Sequence, residues 1–414
     1  MSMATDDLTT LRENLVDQLR ANGRAVTSTV EDAFRSVPRH LFVPEVSPEV
    51  AYQDDAIMTK RDEDGQPISS SSQPAMMAVM LDQLGLTPGQ RVLEIGAGTG
   101  YNAALISHLV SPGGEVVSID IDLDLVQRAR ENLARAGYPE VTVECADGAA
   151  GFATRGPYDR IIATVGVWDL PPAWLDQLAP GGRLVVPLDL GGVQRSVAFE
   201  QEGGHWVSRS AVPCVFMRLR GSLAGPERTY VLSKDDDLSI MVPDGGALNT
   251  DAVLTALDAP PTVRSTHAVI SPRQVFTDLG LWLATHEPRW CMVSESKTAA
   301  RQRLSSAPLT LQDMRITAGL RSADGIAVLA GQPGQTSEQQ VVVHGHGPAA
   351  EGLADQLAAH VTAWDHAGRP GEGLRIHAYA GRGPAGEATT GGIVVEKTNH
   401  QFHLSWPTAT PESV

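Results

Sequence analysis

The sequence predicts an α/β chain, a doubly wound and mostly parallel sheet followed by a second, C-terminal α/β or α+β domain. Between Arg91 and Leu188 short apolar runs alternate with helical patterns, which marks βαβ units and a parallel sheet covered by helices. At 414 residues the chain exceeds one ordinary domain of about 100–200 residues. Past Gly221 the register changes, with more Gly, Pro and Ala, and a boundary near 221–228 divides the chain into 1–222 and 223–414.

Taken in order, apolar residues from Leu8 to about Phe34 recur at helical spacing until Pro38 and Pro44 interrupt them, giving a helical lead-in. Asp62–Ser72 carries acidic residues, Gly65, Pro67 and a run of serines, and reads as a loop. Behind Pro74, Ala75–Leu84 reads as an amphipathic helix. Strands are expected at Arg91–Ile95, Glu115–Ile119, Val141–Glu144, Arg160–Thr164 and Gly182–Pro187, then a closing antiparallel hairpin of Val197–Phe199 and Ala211–Leu219. Beyond the boundary they are expected near Arg228–Leu232, Gly325–Leu329, Gln340–Val343, Leu374–Tyr379 and Gly392–Glu396, with a helix at Ala349–Trp364.

The 32 basic and 49 acidic residues give a formal net charge of −17, a field that repels phosphate backbones and anionic lipid, so neither nucleic acid nor a membrane surface is expected as partner. Arg155, Arg160, Arg183, Arg195, Arg218 and Arg220 form a candidate local basic patch for an acidic peptide. Cys145, Cys214 and Cys291 show no CxxC spacing, which speaks against a disulfide framework or a zinc site and fits a reducing cytoplasm. Met1–Thr10 lacks a basic and apolar leader, and no apolar run approaches the roughly 20 residues that span a bilayer.

The strongest motif is Val92-Leu93-Glu94-Ile95-Gly96-Ala97-Gly98-Thr99-Gly100-Tyr101, an apolar strand running into a Gly-x-Gly-x-Gly turn and a helix. Glycine lets the backbone turn sharply and a ligand approach closely. Dinucleotide turns use G-x-G-x-x-G, whereas Gly96, Gly98 and Gly100 alternate. A second strand ends in Asp120, placed to accept from both ribose hydroxyls, and a third ends near Asp147, placed to accept from an adenine amino group. Three strand ends converging on one crevice favour S-adenosylmethionine over NAD. The candidate cofactor set is Glu94, Gly96, Ala97, Gly98, Thr99, Gly100, Asp120, Ile121, Asp147, Gly148 and Thr164.

Val37-Pro38-Arg39-His40-Leu41-Phe42-Val43-Pro44-Glu45, Ala51-Tyr52, Ile68 with Ser72-Gln73-Pro74, the Leu93–Tyr101 turn, Pro157-Tyr158-Asp159 and Leu178–Leu184 together resemble the protein-L-isoaspartate O-methyltransferases over about residues 8–222. The resemblance implies a Rossmann-like methyltransferase fold and methyl transfer to an aspartyl-type carboxylate, followed by closure of the ester to a succinimide. It also implies a substrate-orienting serine before Gln73-Pro74, which is Ser72. Four serines stand where the family usually has one, so that role falls on Ser72 or on Ser69, Ser70 or Ser71. A carboxylate is already ionised at neutral pH, so the site must mainly desolvate and align it.

The appended domain and lengthened serine segment lead to an expectation of a dedicated enzyme that methylates an aspartate in a ribosomally made peptide, giving aspartimide or isoaspartate, as related extended enzymes do on lanthipeptides, lasso peptides and graspetides. General isoaspartate repair is the alternative. A peptide-binding protein without turnover and a methyltransferase for small acids are further readings. His344-Gly345-His346, with His377, His400 and His403, lacks a completing ligand set, so no metal is expected. Cys145 is expected to pack. Trp168–Pro172 is expected at the rim of the site, with Asp169 capping a helix from Pro171.

Overall fold

The computed structural model describes residues 2–22, 27–63, 65, 67–311, 313–333, 338–381, 383 and 392–406. The lead-in is two helices, α1 (Ser2–Ala21) and α2 (Ser28–Ser36). α2 stops at Val37, which is extended ahead of Pro38, since proline pushes its predecessor out of the helical region. A short α3 (Pro48–Ala51) leads into strands β1 (Ile57–Arg61) and β2 (Pro67–Ser71). These pair antiparallel, Ile57 opposite Ser71 and Met58 opposite Ser70, which corrects the loop expected over Asp62–Ser72. Polar composition concealed the strand period of two: Ser69 and Ser71 alternate inward and are buried, Ser70 and Ser72 less so.

Next come α4 (Pro74–Leu84), β3 (Arg91–Ile95), α5 (Tyr101–Val110), β4 (Glu115–Asp120), α6 (Leu123–Ala136), β5 (Thr142–Cys145), β6 (Tyr158–Ala163), α7 (Pro172–Asp176), β7 (Leu178–Asp189), β8 (Gln194–Glu202) and β9 (His205–Cys214). The order β5-β4-β3-β6-β7 is parallel and runs outward both ways from β3, the doubly wound arrangement, with β8 and β9 antiparallel beyond it. The core joins Val92, Ile162 and Val185 of the sheet to Leu15, Phe34, Met77, Leu81, Leu105 and Leu133 of the helices.

From Pro226 the chain forms a separate unit: β10 (Arg228–Ser233), β11 (Leu238–Val242), α8 (Thr250–Leu257), β12 (Thr262–Ile270), α9 (Pro272–Thr277), α10 (Leu279–His286), β13 (Trp290–Ser296), β14 (Leu309–Leu311), β15 (Met314–Arg321), β16 (Ile326–Pro333), β17 (Gln339–His346) and α11 (Ala350–His366). Its eight-stranded sheet is antiparallel throughout, so of the two classes expected this unit is α+β.

The chain then returns. β18 (Arg375–Ala380), β19 (Ile393–Glu396) and β20 (His400–Ser405) extend the first sheet to ten strands by pairing β18 with β9. One compact unit is therefore the chain up to Asp189 with Gln194–Gly225 and Arg375–Ser405, and the other includes Leu190–Val193 and Pro226–Leu374. The expected single cut at 222/223 is corrected in this respect: the edge of β9 takes up strands from far along the chain.

Candidate functional site

The strand order reverses between β3 and β6, and the glycine turn leaves β3 at that point. Gly96, Gly98 and Gly100 have φ of +100°, +51° and +85°, which L side chains rarely adopt. A Cβ on Gly96 would also stand 2.9 Å from Thr164 Oγ1 and 3.1 Å from Val165 Cγ1, so the end of β6 lies directly against the turn. Thr164 Oγ1 donates to the Gly96 carbonyl at 2.8 Å. Ala97 and Thr99 are buried within the turn.

Asp120 closes β4. Its Oδ2 accepts from Gly98 N at 3.0 Å and its Oδ1 from Asp122 N at 3.2 Å, while burial raises its carboxyl above the usual range. Ile121 beside it is 39% exposed, an apolar side chain open next to the end of β4. Asp147, past the end of β5, moves the other way: Ala149 N donates to Oδ1 at 2.9 Å and lowers the carboxyl, and Ser222 Oγ donates to Oδ2 at 3.1 Å. Gly148 is close-packed, since a Cβ there would stand 2.7 Å from Ile95 Cγ2.

Glu94 lies fully buried under the turn, with Asn102 Nδ2 donating to Oε1 at 2.8 Å and Ser118 Oγ to Oε2 at 2.5 Å. Burial pushes its carboxyl up to about 7, against the pull of these two hydrogen bonds. A folded value above the unfolded one, about 4.3, means that the stabilisation is complete below the unfolded value and is lost as pH rises toward the folded one. Glu94→Gln removes this dependence. In thermal melts from pH 5 to pH 8 the variant should gain on the parent by about 2–3 kcal/mol. A difference that stays constant with pH would show that Glu94 is ionised throughout.

The serine hairpin lies over the turn: a Cβ on Gly98 would be 3.6 Å from the Ser70 carbonyl and 3.9 Å from Ser69 Oγ. Ser69 Oγ accepts from Thr59 Oγ1 at 3.1 Å. The hydroxyl of Ser71 is buried without a hydrogen-bond partner among the described residues, and Ser72 is half-buried. Arg39, fully buried, clamps this segment. Its guanidinium donates to the carbonyls of Gln53, Asp55, Ser71 and Ser72 at 3.1–3.5 Å and sits 5.7 Å from the Tyr101 ring centroid. Lys60 on β1 reaches Asp122 and Asp124 at 3.0 and 2.6 Å, and Arg220 reaches Asp122 at 2.7 Å.

Several expectations change. Asp169 is not the cap of α7, whose N-cap is Pro171. Its Oδ1 accepts instead from Leu170 N, and both its oxygens meet the C-terminal hairpin. Cys145 is exposed, its Sγ 3.6 Å from the Ile121 carbonyl, rather than packed. The arginines do not make a basic patch: Arg183 pairs with Glu200, Arg218 with Asp189 and Arg220 with Asp122, Arg195 is buried, and Arg160 is tied to the Leu84 and Gly85 carbonyls. Asp54 accepts from Ala75 N in the first turn of α4 at 2.8 Å. No group of three or more His, Cys, Asp or Glu is placed to hold a metal among the described residues, and no described helix is long and apolar enough to cross a membrane.

Sequence reasoning gave no role to Asn102, Ser118 or Lys397. Arg39 was visible only as part of the Val37–Glu45 motif. An arginine between two prolines in an otherwise apolar run was the one signal that it is buried.

Backbone free of Cβ at the turn and carboxylates ending two neighbouring strands suit an adenosyl ligand. The family model described as "Protein-L-isoaspartate(D-aspartate) O-methyltransferase" matches residues 10–224. A protein-L-isoaspartate O-methyltransferase of Methanopyrus kandleri is 40% identical over 53% of this chain and 96% of its own length. One from Pyrococcus horikoshii is 42% identical over 42% of this chain and 75% of its own length, and one from Thermotoga maritima 40% over 46% and 59%. A solved structure titled protein-L-isoaspartate O-methyltransferase superposes with a TM-score of 0.52 at 24% identity, covering 96% of this chain and 100% of that one, a likeness of fold. The chain thus belongs to the protein-L-isoaspartate O-methyltransferase family, protein carboxyl methyltransferases that use S-adenosylmethionine.

Proposed function

We propose that this protein methylates the free carboxylate of L-isoaspartyl residues in proteins and peptides, with the cofactor held by the Gly96–Gly100 turn, Asp120 and Asp147, and the substrate oriented by Ser72 and Ser71. The observation that carries this reading is the buried, unpartnered Ser71 hydroxyl on a hairpin laid over the glycine turn, since a polar group without a partner in such a place suits a ligand. When bound, S-adenosylmethionine supplies an electrophilic methyl group. The protein's part is to fix the hairpin through Arg39, exclude water and present hydroxyl donors to a carboxylate that needs no base.

The ribosomal-peptide reading rests on the appended domain and the lengthened serine segment. The relatives from Methanopyrus kandleri and Pyrococcus horikoshii, 40% and 42% identical and both named protein-L-isoaspartate O-methyltransferase, support the broader substrate. The test is mass spectrometry of the protein with S-adenosylmethionine and either an isoaspartyl peptide or a constrained peptide with ordinary aspartate. Gain of one methyl and loss of methanol on the isoaspartyl peptide alone is expected; reaction on the constrained peptide alone would return the dedicated reading.

The serines are separated by kinetics. Ser72→Ala should lower kcat/KM ten- to hundredfold, the range of one hydrogen bond to a charged group, about 1.5–3 kcal/mol. Ser71→Ala should lower kcat/KM about tenfold while leaving the melting temperature unchanged or higher, because it removes an unsatisfied buried hydroxyl. Loss of stability with full activity would make Ser71 a structural residue.

A further inference from the structure

The segment following β6 starts at the glycine turn and is gripped from a distant part of the chain. Lys397, in the turn between β19 and β20, donates its Nζ to the carbonyls of Trp168 and Asp189. The same ammonium lies 4.3 Å from the Trp168 ring centroid and 5.2 Å from that of Phe402. Two residues on, Asn399 N donates to Asp169 Oδ2 at 2.6 Å, and buried His400 Nδ1 lies 3.1 Å from Asp169 Oδ1. Consecutive rim residues, Trp168 and Asp169, are thus held by three residues of one hairpin.

The rest of the rim has little play. Gly166 N donates to the Met217 carbonyl at 2.7 Å, Val167 N to the Pro187 carbonyl at 2.9 Å, and Leu219 N to the Gly166 carbonyl at 2.8 Å. Thr164 and Val165, immediately before, pack on Gly96. A shift at Trp168 is therefore passed within four residues to the turn that carries the candidate cofactor site.

We propose that Lys397 is a positioning residue for methyl transfer, setting the 165–170 rim through the Trp168 carbonyl and ring, with His400 and Asn399 fixing Asp169. An enclosed ammonium is costly unless its protons are accepted, and here two carbonyls and two ring faces receive it. Burial lowers the Lys397 pKa to about 8, against Asp189 and Asp169, which raise it, and with Arg218, which lowers it further. The one cation ties carbonyls from two separate segments together, which fixes the backbone at Trp168. This inference rests on the methyl-transfer reading of the site.

The test compares the full-length protein with Lys397→Met and, made alongside, His400→Phe, which removes the imidazole contact to Asp169 and leaves the cation. Lys397→Met should lower kcat/KM for the isoaspartyl peptide at least tenfold, raise the KM for S-adenosylmethionine severalfold, and speed amide exchange over 165–170 tenfold with β4 and β5 unchanged. His400→Phe should move the same readouts about threefold, and decides the matter if Lys397→Met does not fold. Unchanged rim exchange, or faster exchange with parental kcat/KM, overturns the proposal. If the parent protein does not turn over isoaspartyl peptide, the substrate reading fails instead, and rim exchange alone then decides whether Lys397 holds the segment.

Discussion

Asp120→Ala is expected to weaken binding of the methyl donor at least a hundredfold, close to 3 kcal/mol, the scale of losing charged hydrogen bonds in an enclosed site. The carboxylate fixes the Gly98 amide and the Asp122 amide, so its removal frees both the middle of the turn and the bend after β4. It would also take away the acceptor proposed for the ribose hydroxyls. Titration calorimetry with S-adenosylhomocysteine measures the loss directly. Asp120→Asn keeps the shape but offers one acceptor oxygen to the two amides, so its binding loss should fall between the parent and Asp120→Ala. A binding loss below fivefold in Asp120→Ala would remove Asp120 from the cofactor site.

Arg39→Met is expected to destabilise the first unit by about 3–5 kcal/mol, because the enclosed carbonyls that share its guanidinium lose their donor, at about 1–3 kcal/mol for each that finds no other. The four carbonyls that it joins belong to the segment after α3 and to the end of β2, so they would lose their common donor together. At roughly 2–4 °C per kcal/mol for a unit of this size, the melting temperature should fall about 10 °C. Activity should fall at least tenfold even below the transition, since the Ser71 and Ser72 backbone is no longer anchored. Calorimetry and initial rates at 20 °C separate the two effects, and a melting temperature within 2 °C of the parent would show that the clamp contributes little.

What the sequence disclosed follows from how local each signal is. Arg91–Ile95 was found to the residue because a buried parallel strand reads as an unbroken apolar run ending in glycine. The places of Gly96, Asp120 and Asp147 just past β3, at the end of β4 and just past β5 follow from the same kind of run, since each stands at a short fixed distance from one. The β1–β2 hairpin was missed because serine, lysine and threonine carry its alternation, and hydropathy does not distinguish an inward serine from an outward one. Lys397 was out of reach for a different reason: its partners Trp168 and Asp189 are more than two hundred positions away, and no local pattern encodes that pairing. Asp169 misled for the same reason, since a residue that looks like a helix cap by its neighbours was held by a distant histidine instead.

The pairing of β18 with β9 also fixes the order in which the protein can mature during synthesis. A chain emerging from the ribosome at about 5–20 residues per second needs on the order of ten seconds to deliver the stretch between Gly225 and Arg375. Throughout that wait β9 is an open strand edge, the kind of surface that invites pairing with a neighbouring nascent chain. Strands β18–β20 thus act as a late-arriving seal on a sheet whose earlier strands were already translated.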